Sequence, residues 1–221
     1  MLISKKDKLA ITFKDDKYTY EQLLRYSQIY ADKFSLEYKP EKILICAQNS
    51  PEWCFAFYGA MRCKSIVVPL DAQSTKKEIE YVINDCRPDI VFISDDKKEM
   101  FADMNLHDAR LMTKDDVLLS DDKNIPATDI PLGNLEDVML INYTSGTTGN
   151  PKGVMLTYKN VMFNIDSVSK QVPIFQEDSN VMVLLPLHHI LPLLGSLVAP
   201  LYMGGTLHIA EAMNAESIIK T

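Results

Sequence analysis

The chain has 221 residues, 47% hydrophobic, 24% charged and 9% aromatic, with a formal net charge of -7. These values describe an ordinary globular protein, long enough to bury a real core as one large domain or two small ones. The acidic balance and the absence of a clustered Lys/Arg stripe speak against nucleic acid as a partner, since duplex binding is dominated by cationic contacts to phosphates. They leave room for a small anionic ligand, because backbone N–H groups and one placed lysine hold phosphates whatever the global charge.

In chain order, Met1 to Asp16 mixes Lys and Asp with short apolar stretches and has no apolar core of the kind a signal peptide needs. Thr19 with Gln22 fits a capping box that opens a helix, and Tyr20, Leu23, Leu24, Tyr30, Ala31 and Phe34 then recur at helical spacing. Ile43–Ala47 follows as a short apolar run, expected to be a strand, and Pro51 after Ser50 marks a second helix start. Ile66–Leu70 is a further strand, and Thr75 with Glu78 caps a third helix with Ile79, Val82, Ile83 and Cys86 on one face. Ile90–Ile93, Val138–Tyr143 and Val181–Leu185 complete the expected strands.

These runs are apolar throughout rather than alternating, so both of their faces must be covered. The fold class that follows is α/β, a largely parallel sheet with helices on both faces. The Asp-rich, Pro-containing segment 113–137 reads as a solvated surface connection. Leu184–Met203 is the most apolar stretch, but Pro186, Pro192, Pro200 and the pair His188–His189 interrupt it, so buried interior or channel wall is expected rather than a membrane span. Cys46, Cys54, Cys63 and Cys86 form no C-x-x-C pair and suggest neither zinc nor a disulfide framework, which fits a reducing cytoplasm. Asn214 is expected to cap a helix that reaches Thr221 with no Gly or Pro exit signal, as in a chain cut short.

Tyr143 to Val154, Tyr-Thr-Ser-Gly-Thr-Thr-Gly-Asn-Pro-Lys-Gly-Val, gathers four Ser/Thr hydroxyls, three glycines and a lysine directly behind an apolar strand. Glycines let backbone N–H groups face an anion, hydroxyls add donors, and Lys152 supplies a point charge for phosphate oxygens. A Walker A loop is excluded at two fixed positions. Pro151 stands where its second glycine should be and Gly153 where its Ser/Thr should be, and Val154-Met155-Leu156 reads as a strand rather than a helix start.

The segment resembles the signature of the adenylate-forming superfamily, which includes acyl-CoA synthetases, luciferases and peptide-synthetase adenylation domains. Every fixed position of Tyr-Thr-Ser-Gly-Thr-Thr-Gly-x-Pro-Lys-Gly-Val is matched, with Asn150 in the variable slot. Leu185-Pro186-Leu187-His188-His189-Ile190 is similar to the Pro-Leu-x-His element of acyl- and aryl-CoA synthetases, with His189 at the motif histidine. Asn49-Ser50-Pro51-Glu52-Trp53 and Val67-Val68-Pro69-Leu70-Asp71 look like the early part of the same enzymes.

The resemblance implies that Thr144, Ser145, Gly146, Thr147, Thr148, Gly149 and Lys152 wrap the β- and γ-phosphates of ATP, and that His189 lies near the reacting carboxylate. It implies an acyl-CoA synthetase using ATP, Mg²⁺ and coenzyme A on a fatty or other carboxylic acid, with no protein ligand assigned to a metal. Residues 1–221 are then the first part of the large N-terminal AMP-binding domain, without the mobile C-terminal domain and inactive alone. A carrier protein as thiol acceptor and a non-catalytic nucleotide-binding or interaction module are the alternatives. No transmembrane segment is expected; peripheral membrane association and dimerisation stay open.

Overall fold

A computed structural model describes residues 7–120, 122–144, 151–172 and 174–211. Two sheets form. The smaller has the order β2-β1-β10-β9, from β1 (Leu9–Phe13), β2 (Asp16–Thr19), β9 (Asn180–Val183) and β10 (Thr206–Ile209). The larger has the order β6-β5-β3-β4-β7-β8, from β3 (Lys42–Cys46), β4 (Ile66–Pro69), β5 (Ile90–Ile93), β6 (Arg110–Met112), β7 (Val138–Thr144) and β8 (Lys152–Thr157). Pairing is parallel except for the hairpins β1–β2 and β7–β8.

The mixed α/β class is therefore as expected, but the strands do not share one sheet. The run expected at Val181–Leu185 is β9 and pairs with β10 in the smaller sheet. Apolar composition cannot separate these arrangements, because a strand buried on both faces reads the same in either sheet.

Helix α1 (Tyr20–Phe34) is opened by the full Thr19–Gln22 capping box, α2 (Pro51–Arg62) by Ser50 with Pro51 in its first turn, and α3 (Lys76–Cys86) by the Thr75–Glu78 box. Each device satisfies N–H groups that a helix start would otherwise leave unpaired. A short helix α4 (Lys98–Ala102) follows β5, and α5 (Tyr158–Asp166) starts at a Thr157–Asn160 box and runs into a π-helical turn, Ser167–Gln171. Further on, α6 (Ile190–Pro192), a π-helical stretch Leu193–Val198 and α7 (Ala199–Met203) continue one another. No helix among the described residues is long and apolar enough to cross a membrane.

Strand β3 shows how the layers are assigned. Ile43 and Ile45 join a core with Leu23 and Leu24 of α1, Phe55 and Phe57 of α2, and Ile11, Leu207 and Ile209 of the smaller sheet. Leu44 and Cys46, one residue out of phase, join Ile79, Val82 and Ile83 of α3. Side chains alternate across a strand, so α1 and α2 fill the space between the two sheets while α3 covers the outer face of the larger one. All four cysteines are buried and unpaired. Burial pushes the Cys46 thiol up to about 12 and the Cys86 thiol up to about 11, which suits packing rather than nucleophilic work.

The segment 113–137 is irregular apart from one 3-10 turn, Lys114–Asp116, yet Val117 and Ile130 are buried. Its backbone is stapled to α1 and α2: Arg25 donates to Ile125 O at 3.2 Å, and the Arg62 guanidinium donates to Thr128 O and to Asp129 O. The helix expected after Asn214 lies outside the described residues.

Candidate active site

Neighbouring strands β3, β4 and β7 are parallel, so their carboxyl ends lie on one edge of the larger sheet. Asn49 follows β3 there, Asp71 follows β4, and Thr144 ends β7. In open α/β sheets this edge is where ligands bind.

The signature loop connects β7 to β8 as an antiparallel hairpin. Thr144 pairs with Lys152, Tyr143 with Gly153, and Asn142 with Val154. Ser145, Gly146, Thr147, Thr148 and Gly149 lie outside the described residues; Thr144 and Lys152 are the two candidate phosphate contacts that the structure places, and both are exposed. Among the described residues Lys152 has no carboxylate partner. Since residues opposite each other in a ladder share a face and faces alternate along a strand, Thr144 and Lys152 project on the same side as Asn142.

The base of the hairpin is fixed by Tyr143, whose hydroxyl donates to Asp85 Oδ2 at 2.6 Å near the end of α3. Burial and then that bond raise the phenol well above its ordinary range. Gly153 is required by Ile141 and, less tightly, by this ring: a Cβ there would stand 2.8 Å from Ile141 Cγ2 and 3.1 Å from Tyr143 Cζ. Tyr143 and Gly153 at the ends of the motif are thus explained by packing, without any phosphate.

The histidine segment is held to the same edge by two side-chain amides. Asn49 Nδ2 donates to Leu185 O at 2.9 Å, and Leu187 N–H donates back to Asn49 Oδ1 at 2.9 Å. Asn142, buried on β7, donates from Nδ2 to His188 O at 2.8 Å. Thr144 is two residues beyond Asn142, roughly 7 Å along the strand at the usual rise. One strand face therefore carries both the anchor of the histidine segment and the mouth of the hairpin.

His189 occupies the extended position at the head of α6 and is exposed, whereas His188 is largely covered, its side chain 12% accessible. The two rings lie 4.0 Å apart between centroids, and His188 Nε2 is 3.8 Å from Asp71 Oδ2. Burial holds His188 below the ordinary imidazole range, with the Asp71 charge working in the opposite direction. Two clefts flank the pair. A polar one of about 250 Å³ is lined by Asn49, Asp71, Gln73, His188 and Glu211. An apolar one of about 230 Å³ lies between Ile165 and Val168 on one side and Ile190, Leu191, Leu194 and Gly195 on the other.

Sequence patterning does not single out Asn142, and Asn49 and Asp71 stand out only as parts of longer resemblances. A signal was present for Asn142. An amide inside the apolar run Met139-Leu140-Ile141-Asn142 has to be paired when buried, and its partner is the histidine segment.

The sequence profile of the AMP-binding enzymes matches residues 4–220. The chain belongs to the AMP-binding enzyme family. Family members similar to it include a D-alanine–D-alanyl carrier protein ligase from Staphylococcus haemolyticus, 28% identical over 72% of this chain and 31% of that protein. A mitochondrial malonate–CoA ligase from Xenopus laevis is 24% identical over 90% of this chain and 36% of its own length. Among solved structures, ATP-bound MatB from Rhodopseudomonas palustris superposes with a TM-score of 0.85 at 22% identity, over 98% of this chain and 45% of that one. This AMP-binding chain thus spans less than half the length of each of these relatives, and it has the fold of the N-terminal domain of adenylate-forming enzymes.

Proposed function

We propose that these residues form the front part of a ligase that uses ATP to convert an aliphatic carboxylic acid to its acyl adenylate and then passes the acyl group to coenzyme A. The observation that carries this reading is the shared face of β7. Asn142 anchors the histidine segment there, and Thr144 and Lys152 close the hairpin next to it. Lys152 fits an anion, being an exposed cation without a described carboxylate partner at the base of a loop rich in donors. In the proposed step a carboxylate oxygen attacks the α-phosphorus of ATP and the bond to pyrophosphate breaks. Lys152 and the loop Thr144, Ser145, Gly146, Thr147, Thr148 and Gly149 hold the leaving pyrophosphate, and His189 faces the reacting carboxylate. Catalysis of this kind is positioning plus charge stabilisation.

In this reading Mg²⁺ is held chiefly by the nucleotide's phosphates and by water, and no side chain is assigned to it. The ion would arrive with the nucleotide and neutralise phosphate charge. The apolar cleft beginning at Ile190, directly after His189, supports an aliphatic tail. The cleft has a volume of about 230 Å³ within these residues and an apolar lining of the kind ligand pockets use. Transfer to a carrier protein is the second reading, favoured by the likeness to the D-alanyl carrier protein ligase.

The test is acid-dependent exchange of labelled pyrophosphate into ATP, measured on the full polypeptide in which these residues occur. Aliphatic acids should support exchange, and Lys152→Ala should reduce it by about 10²–10³-fold, the scale for losing one preorganised charge-stabilising group. Undiminished exchange in Lys152→Ala would overturn the assignment. Assaying coenzyme A against carrier protein as acceptor then chooses between the two readings.

A further inference from the structure

We propose that Asp71 and His188 form a positioning pair that fixes the imidazole of His189, a role that rests on the adenylating function proposed above. Among the described residues none hydrogen-bonds the His189 ring. The His188 ring packs against it, at 4.0 Å between centroids and tilted by 49°. The orientation of His189 therefore follows that of His188.

His188 is in turn held from several sides. Its carbonyl is taken by Asn142, and the two residues around Pro186 are clamped by Asn49. Its ring presents Nε2 to Asp71 Oδ2 at 3.8 Å, beyond a direct hydrogen bond but within reach of a bridging water or a small adjustment. Asp71 is itself locked, because Gln73 N–H donates to its other oxygen, Oδ1, at 2.8 Å, leaving Oδ2 to face the histidine.

Charge works in the same direction. The ionisable groups around His188 are Asp71 from the β4–α3 loop, the adjoining His189, and Glu211, which lines the same polar cleft. Burial keeps His188 neutral, and a neutral ring beside a carboxylate carries its proton on the nitrogen that faces it, here Nε2. A neutral His188 also puts no positive charge against His189 as a carboxylate approaches. The pair touches neither substrate nor nucleotide in this scheme; it acts through His189.

Substitutions in the full polypeptide separate this role from general stability. Asp71→Asn keeps the acceptor for Gln73 and removes the charge. The expected result is a fall in kcat for pyrophosphate exchange of about tenfold, with KM for ATP little changed, as for a misplaced catalytic group. His188→Ala should lose at least as much, His188→Phe should recover part of it by restoring the ring contact, and the acid limb of the pH profile should shift in Asp71→Asn. In the 221-residue chain, NMR of labelled histidine should show cross-relaxation between the two rings and a His188 titration midpoint that falls in Asp71→Asn. An unmoved midpoint, or exchange unaffected by both Asp71→Asn and His188→Ala, overturns the pair. If the wild-type polypeptide shows no exchange with any acid, the adenylating reading fails and the catalytic role goes with it, while the NMR result still decides the geometry.

Discussion

Gly153 shows how one residue can serve a motif without touching its ligand. Its missing side chain leaves room for Ile141 and for the Tyr143 ring, whose hydroxyl donates to Asp85. Gly153→Ala introduces a Cβ 2.8 Å from Ile141 Cγ2, and overpacking of this kind costs about 1–3 kcal/mol. A lowered thermal midpoint with the Tyr143–Asp85 bond broken is the expected outcome, read by calorimetry and by the NMR environment of Tyr143. An unchanged midpoint would show that the strand can shift at no cost. His188 stands at the other extreme, a polar ring kept by its partners rather than by space, since it is largely buried and still faces Asp71.

At the level of elements, the site depends on two amides that tie one sheet to the other. Asn49 leaves the β3–α2 turn and Asn142 lies within β7, and both hold the segment 185–188 that follows β9 of the smaller sheet. Asn142→Leu strands the His188 carbonyl, at about 1–3 kcal/mol for an unpaired buried group. The expected consequence is a loss of exchange activity larger than the loss of ATP affinity, because the histidine segment moves while the hairpin stays; equal losses in both would argue that Asn142 supports the whole edge.

The helical stretch after His189 carries the other element-scale prediction. A Cβ built on Gly195 meets nothing within 4 Å, and Gly195 lines the apolar cleft. A Cβ at Gly195 is thus free of contacts, and Gly195→Phe should project into the cleft and shift acid preference toward shorter chains. The ratio of kcat/KM values across an acid series measures it, with about 1–3 kcal/mol of discrimination available per methylene. An unaltered series would remove the cleft from the substrate path.

For the whole molecule, the edge strand β8 of the larger sheet shapes its behaviour. Strand β8 packs Leu156 against the core but leaves Val154 46% and Met155 66% exposed. Phe163 on α5 and Leu191 on α6 are exposed at 70% and 76%. Natural edges are blunted by charge, proline or a covering element; here Pro151 and Lys152 guard the start of the strand, while Val154 and Met155 beyond them are exposed. The 221-residue chain alone is expected to self-associate as its concentration rises, visible as a concentration-dependent sedimentation coefficient. A strictly monomeric sample at high concentration would mean that the edge is protected.

The strands β3, β4, β5, β7 and β9, three helix starts and the family signature were readable in the residues because each rests on local chemistry, whereas β1, β2, β6, β10 and the helices α4 to α7 were not. A capping box needs only neighbouring side chains, and a phosphate loop needs donors at close spacing. The division into two sheets was not readable, because a strand covered on both faces has the same composition in either one. Nor could the residues alone reveal that Asn49, Asp71, Asn142 and His188 meet. Their separations along the chain run to more than a hundred positions, and parallel strand order brings their loops to one edge. Short-range patterning thus identified the chemistry, and long-range pairing decided which side chains hold it in place.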